Sequence, residues 1–143
     1  MTRLAHGSLV LLLLIGGRSS SFAQQHAFAQ WTPKDGLAQS QVRCMVEDAK
    51  GYLWFGTLGG ASRFDGREFV NYALQEGLPD AQINAMVDDG RGTLWMAAGG
   101  QLVKITGTTI ASELLPSDSR NARIMGLATD SAGTLYIGTD GGG

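Results

Sequence analysis

The chain has 143 residues, enough for one small domain. Eleven lysines and arginines stand against thirteen acids, so no charge bias draws it to nucleic acid or to an acidic membrane surface. A single cysteine, Cys44, excludes an intrachain disulfide, and 21 glycines beside 3 prolines suit short strands joined by tight turns.

Residues 1–23 read as a secretory signal peptide. Arg3 supplies the positive start, and Leu9 to Ile15 is an apolar run too short to span a bilayer. Ser21-Phe22-Ala23 places small residues at the two positions a signal peptidase reads, so cleavage is expected before Gln24. The product is therefore expected to be exported.

Residues 27–32 alternate Phe28 and Gln30 with Ala29 and Trp31 and read as a lone strand. The stretch that follows repeats. Asp48-Ala49-Lys50-Gly51-Tyr52-Leu53-Trp54-Phe55-Gly56-Thr57 returns as Asp89 to Ala98 and again as Asp130 to Thr139. The aromatic positions Trp54, Trp95 and Tyr136 are 41 residues apart both times. A fixed period of this size marks a repeat architecture.

Each copy begins with Asp and, three residues later, Gly (Asp48 and Gly51, Asp89 and Gly92, Asp130 and Gly133), which fits a turn. An apolar, aromatic-rich run then reads as a strand. In the first unit, residues 38–73, strands are expected over Val42 to Asp48, Tyr52 to Thr57, Ala61 to Phe64 and Glu68 to Ala73. Gly59-Gly60 and Asp65-Gly66 are the expected two-residue hairpin turns. The second unit, residues 79–114, keeps the same register. The third, residues 120–143, is incomplete and ends in a hairpin. Phe28 to Trp31 match Phe69 to Tyr72 one period on, which makes residues 27–32 the outer strand of a closing blade that is missing.

Four short antiparallel strands per unit of this length predict an all-β fold, an incomplete β-propeller. The chain reads as a fragment whose remaining blades are needed for closure. Cys44, Ala85 and Gly126 share one position of the first strands, and all are small, as expected where those strands crowd the central shaft. Cys44 itself is expected as a small buried core residue.

The chemistry is sparse. His26 is the one histidine after the signal segment, so neither a His-based triad nor a multi-His metal site can be assembled. No metal, no cofactor and no catalytic residue is expected. The acids Asp48, Asp89 and Asp130 recur in phase with a turn glycine and read as structural. Trp54, Trp95 and Tyr136 could stack on carbohydrate, but their strict repeat position favours packing between blades. Candidate ligand contacts are the polar residues leading into the first strands, Gln41, Arg43, Gln82, Asn84 and Arg123, because those loops open near the shaft.

Gly36-Leu37-Ala38-Gln39-Ser40-Gln41-Val42-Arg43, the decade from Asp48, Arg63-Phe64-Asp65-Gly66, Glu76-Gly77-Leu78-Pro79 and Gly138-Thr139-Asp140-Gly141-Gly142-Gly143 together resemble the two-component regulator propeller repeat. Ala97-Ala98 replaces Gly-Thr in the second unit, and the third lacks a Gly-Leu-Pro start. The resemblance implies a seven-bladed periplasmic propeller in a bacterial membrane sensor of the hybrid histidine kinase type. A transmembrane helix and a cytoplasmic output domain would follow it, and the membrane would be met only through those later segments. It further implies a small ligand, such as an oligosaccharide from polysaccharide breakdown. The leading expectation is a ligand-sensing module without catalysis of its own. The alternatives are the first part of a secreted propeller lyase or hydrolase, and a protein-binding scaffold.

Overall fold

The computed structural model describes residues 28–115 and 122–141. The expected signal peptide lies outside them. Ten strands follow in chain order: β1 (Val42–Glu47), β2 (Leu53–Thr57), β3 (Gly60–Phe64), β4 (Phe69–Tyr72), β5 (Ile83–Asp88), β6 (Thr93–Ala98), β7 (Gln101–Thr106), β8 (Thr109–Glu113), β9 (Arg123–Thr129) and β10 (Leu135–Asp140). β1 to β4 form one antiparallel sheet in sequential order, β5 to β8 a second, and β9 with β10 a third. These are two complete blades and the inner pair of another, the all-β architecture the period implies. β5 packs beside β1 and β2, and β9 packs beside β5 and β6.

The period survives in detail. Val46 pairs with Trp54, Val87 with Trp95 and Ala128 with Tyr136. Each first strand carries a bulge at the same place, at Arg43, Asn84 and Met125. The small positions also face one another: Cys44 pairs with Gly56, Ala85 with Ala97 and Gly126 with Gly138. A Cβ on Gly56 would collide with Cys44 Sγ and lie 2.7 Å from Ile83 Cγ2 of the next blade. The wedge is thus narrow because two blades meet across a residue without a side chain. Cys44 is half-buried rather than fully buried, and loss of hydration pushes its thiol pKa up to about 11.

Trp54, Tyr72, Leu78, Ile83, Met86, Leu94, Met96 and Val103 form one core between the first two blades. Ala85, Ala97, Leu102, Leu115 and Ile124 form another towards the third, with Trp95, Leu127, Leu135 and Ile137 packed on it. Alternation along β2 turns Phe55 away from the first core. There it meets Trp31 at 5.7 Å and Phe69 at 5.8 Å between ring centroids.

Four further expectations need correction. Residues 28–32, expected within an outer strand, take no strand pairing; Thr32 is extended (φ −129, ψ 172) and starts a short 3-10 turn, Pro33–Asp35. A strand exists by its ladder, and among the described residues no neighbouring strand offers one; Trp31 is held instead by the rings of Phe55, Phe64 and Phe69. The β2–β3 turn is Leu58-Gly59, one residue early, because Thr57 and Gly60 pair. Thr57 Oγ1 fixes that turn by donating to Gly60 O (2.7 Å) and accepting from Gly59 N (3.0 Å). The two-residue turn expected at Asp65-Gly66 is Gly66-Arg67, one residue late: Asp65 N donates to Glu68 O (3.3 Å), and the Asp65 carboxylate collects the amides of Arg67 and Glu68. Finally, of the three equivalent aromatics only Trp54 is buried; Trp95 is half-buried and Tyr136 is 56 % exposed, having no described blade beyond it.

The lead-in loops belong to the blades they enter. Leu37 and Leu78 are buried, each after a 3-10 turn closed by an in-phase acid, with Asp35 accepting from Thr32 N and Glu76 from Ala73 N, both at 2.8 Å. In the first blade Ser62, fully buried, accepts from Ala38 N (2.9 Å) and donates to Asn71 Oδ1 (2.6 Å). The in-phase residues of the second blade are Val103 and Pro79. Hydroxyl and amide hydrogen are lost together there, so neither side is left unsatisfied.

Candidate functional site: an inter-blade cleft at the first strands

Two places gather polar groups. The first is the turn before each second strand. Asp48 Oδ1 accepts from Lys50 N (2.9 Å) and Tyr52 N (3.0 Å), and its Oδ2 accepts from the Trp54 indole N–H (2.8 Å). Asp89 Oδ1 accepts from Arg91 N and Thr93 N, and Asp130 from Thr134 N and the Tyr136 hydroxyl. Burial alone would raise the Asp89 pKa, but the Thr93 and Arg91 amides together outweigh it and hold the carboxyl below its usual range. For Asp130 the Thr134 amide leads, again lowering the pKa. Gly51 and Gly133 sit at positive φ (83° and 87°), as the turn requires. These carboxylates are spent on their own turns, and no cluster of metal-ligating residues is present among the described residues.

Those turns also join blades. The Arg91 guanidinium reaches the next turn and donates to Ala132 O (2.9 Å) and Ser131 O (3.4 Å). A Cβ on Gly133 would strike that guanidinium, lying 2.7 Å from Cζ.

The second place is a cleft of about 300 Å³ where β5 and β9 begin, closed on one side by the β6–β7 turn. Gln82, Asn84 and Arg123 line it together, with Asp80, Gly99, Gly100 and Ala122. Gln82 N donates to Asp80 Oδ1 (2.8 Å), and Gln82 O accepts from Gly99 N (2.8 Å). Asn84 occupies the bulge of β5. It is 9 % exposed, and its amide accepts from Gln82 Nε2 (2.9 Å) and donates to Gly99 O (3.2 Å). Arg123 is exposed at the rim.

Gln41 and Arg43 are exposed at the matching start of β1 and do not line this cleft. Sequence reasoning passed over Asp80 and the Gly99-Gly100 turn. A signal existed for Asp80: it is in phase with Gln39, whose side chain accepts from Gln41 N (2.6 Å) as Asp80 does from Gln82 N.

The family described as Two component regulator propeller matches residues 36–59, from the first lead-in loop through β2. Over 62 residues the chain is 39% identical to Histidine kinase P4 of Formosa agariphila, which is 43% of this chain and 4% of that protein. It is also similar to the solved extracellular domain of BT3049 of B. thetaiotaomicron, assigned to the hybrid two component systems, with a TM-score of 0.64 and 22% identity over 77% of this chain and 16% of that one. The extracellular domain of BT4673 from the same organism, assigned to the one component systems, gives a TM-score of 0.62 and 22% identity over 78% of this chain and 16% of that one. The chain thus spans a small part of the relatives it matches. At this level of identity the solved structures speak for the fold alone, that of β-propeller blades, and the two component regulator propeller motif is matched over residues 36–59.

Proposed function

We propose that this chain is part of the extracytoplasmic sensor propeller of a two-component-type membrane receptor, binding a small ligand and doing no chemistry itself. The observation that carries the proposal is the cleft, where three polar residues chosen for their place ahead of the first strands converge between two blades. Its polar lining suits a hydroxyl-rich ligand such as an oligosaccharide. The match to a regulator propeller repeat and to a histidine kinase supports the use of that binding in signalling. Gln41 and Arg43, at the same place one blade earlier, would extend the contact surface. On this reading the chain acts outside the cytoplasm, and output lies in other segments of a longer receptor.

A ligand's effect on output is set by its differential affinity for two receptor states. The test is therefore binding first and coupling second. A panel of neutral and acidic oligosaccharides is titrated against the purified chain by calorimetry, then against the intact receptor with phosphotransfer as readout. At least one member should bind, and Gln82→Ala with Arg123→Ala should weaken it about tenfold or more through lost polar contacts. Absence of binding across the panel, or binding indifferent to both substitutions, defeats the proposal.

A further inference from the structure

We infer that the cleft reads a sugar acid: its ligand carries a carboxylate, held by Arg123, on a polyhydroxylated body held by Asp80 and Gln82. This deepens the sensing proposal and rests on it. The assignment follows from which groups in the cleft are already engaged.

Asn84 is committed at both ends of its amide, accepting from Gln82 and donating to Gly99. Asp80 Oδ1 receives the Gln82 amide. Asp80 Oδ2 lies against Gly99, 2.5 Å from where a Cβ would stand, so the carboxylate is pressed onto a residue that lacks a side chain. What remains is a guanidinium at one rim, one carboxylate oxygen, and the side-chain oxygen of Gln82. Among the described residues the ion pair present is Lys104 with Glu113, on the outer strands of the second blade; no carboxylate pairs with Arg123 there.

The Arg123 guanidinium, which takes no hydrogen bond or ion pair among the described residues, matches a carboxylate in a two-pronged geometry. The two oxygens on the other side are acceptors and require donors, which hydroxyls supply. Asp80 also sets a limit. An all-anionic ligand would meet repulsion at that wall, so the negative charge must sit at the Arg123 end alone. Among the described residues no aromatic ring lines the cleft for stacking on a sugar face, and the charged contact dominates. Arg123 is in phase with Gln41 and Gln82. The repeat's own residue at that position is neutral, and the positive charge is peculiar to the third unit.

Three hexoses separate these charges with little change of shape. D-Glucose is neutral, D-glucuronate carries a carboxylate at carbon 6, and D-glucosamine carries an ammonium at carbon 2. Each is titrated into the purified chain at low and at high salt, with amide NMR shifts mapping the contact. Glucuronate should bind about tenfold or more tighter than glucose, and high salt should erase most of the difference. Arg123→Gln, which installs the residue of the other two units, should bring glucuronate down to the level of glucose, while Arg123→Lys should keep part of the preference. Equal binding of glucose and glucuronate, glucosamine binding tightest, or an unresponsive Arg123→Gln variant would each overturn the inference. In those cases sugar binding sensitive to Gln82→Ala would leave the sensing proposal standing. No binding by any of the three removes the inference, and the oligosaccharide panel then decides the broader reading.

Discussion

Replacing Gly133 by Ala separates two reasons for a turn glycine. Gly51 and Gly133 hold the same place in their turns and nearly the same φ, 83° and 87°. An alanine at either one pays about 1–2 kcal/mol for the left-handed backbone. At Gly51 the nearest group to a new Cβ is Glu47 Oε1 at 3.9 Å, so little else is added. At Gly133 the methyl enters the space of the Arg91 guanidinium and expels it from Ala132 O and Ser131 O. An exposed hydrogen-bonded contact of this kind adds about 1 kcal/mol. Gly133→Ala should therefore cost about 2–3 kcal/mol and Gly51→Ala about 1–2. The assay is urea unfolding followed by tryptophan fluorescence, run as a double-mutant cycle with Arg91→Ala. In the Arg91→Ala background the Gly133 substitution should fall to the cost of its Gly51 counterpart. Equal costs for the two glycines with Arg91 present, or no coupling in the cycle, would refute the argument that the turn glycine makes room for the neighbouring blade.

Three further outcomes are expected. Trp54→Ala should cost about 3–5 kcal/mol, as loss of a buried aromatic does, whereas Tyr136→Ala should cost far less because its ring is largely exposed; matching urea midpoints for the two would contradict the burial difference. The carboxyls of Asp89 and Asp130 have folded pKa values below their unfolded ones, so their contribution is present above the unfolded value of about 3.9 and is lost as pH falls through the folded values. Stability should thus drop between about pH 5 and pH 2, and Asp89→Asn should flatten that slope in an unfolding series. Ser62→Val should destabilise by about 1–3 kcal/mol by stranding the Ala38 amide and the Asn71 oxygen, and adding Ala38→Pro should recover part of it, as Pro79 and Val103 coexist one blade on; a second substitution that only adds damage would show the two sites to be independent.

The blades were legible because the period fixes everything that depends on nearest neighbours. The turn acid, the aromatic six residues after it and the small pair such as Cys44 with Gly56 are local or pairwise features, and each appears three times. Features set by a more distant partner were not legible. Residues 28–32 have strand-like alternation, yet a ladder needs a neighbour, and alternation does not say whether one is present. Asp65-Gly66 has the composition of a two-residue turn, but the Asp65 carboxylate takes the amides of Arg67 and Glu68, and the turn falls one residue later, on Gly66-Arg67. At the candidate site, position ahead of the first strand brought Gln82, Asn84 and Arg123 to notice. It could not say that they would share a cleft while Gln41 and Arg43 stood apart, because that depends on which blade lies alongside.

The exchange of Ser62 and Ala38 for Val103 and Pro79 also tells where this chain can be cut and rejoined. Ala38 precedes the sheet and Ser62 lies deep within it. A swap of sheets alone, from Val42 to Tyr72, would carry a hydroxyl into a blade whose leader ends in proline and leave it facing a nitrogen with no hydrogen. A swap that begins at the 3-10 turn would carry both halves of the bond. Gene duplication that copied from sheet to sheet would leave buried polar mismatches behind, and duplication in the longer frame would not. The natural module of this propeller is accordingly a sheet together with the leader that plugs it, and chimeras built in that frame should be more stable than sheet-only grafts, which keep the Ser62–Asn71 bond but lose the one from the leader.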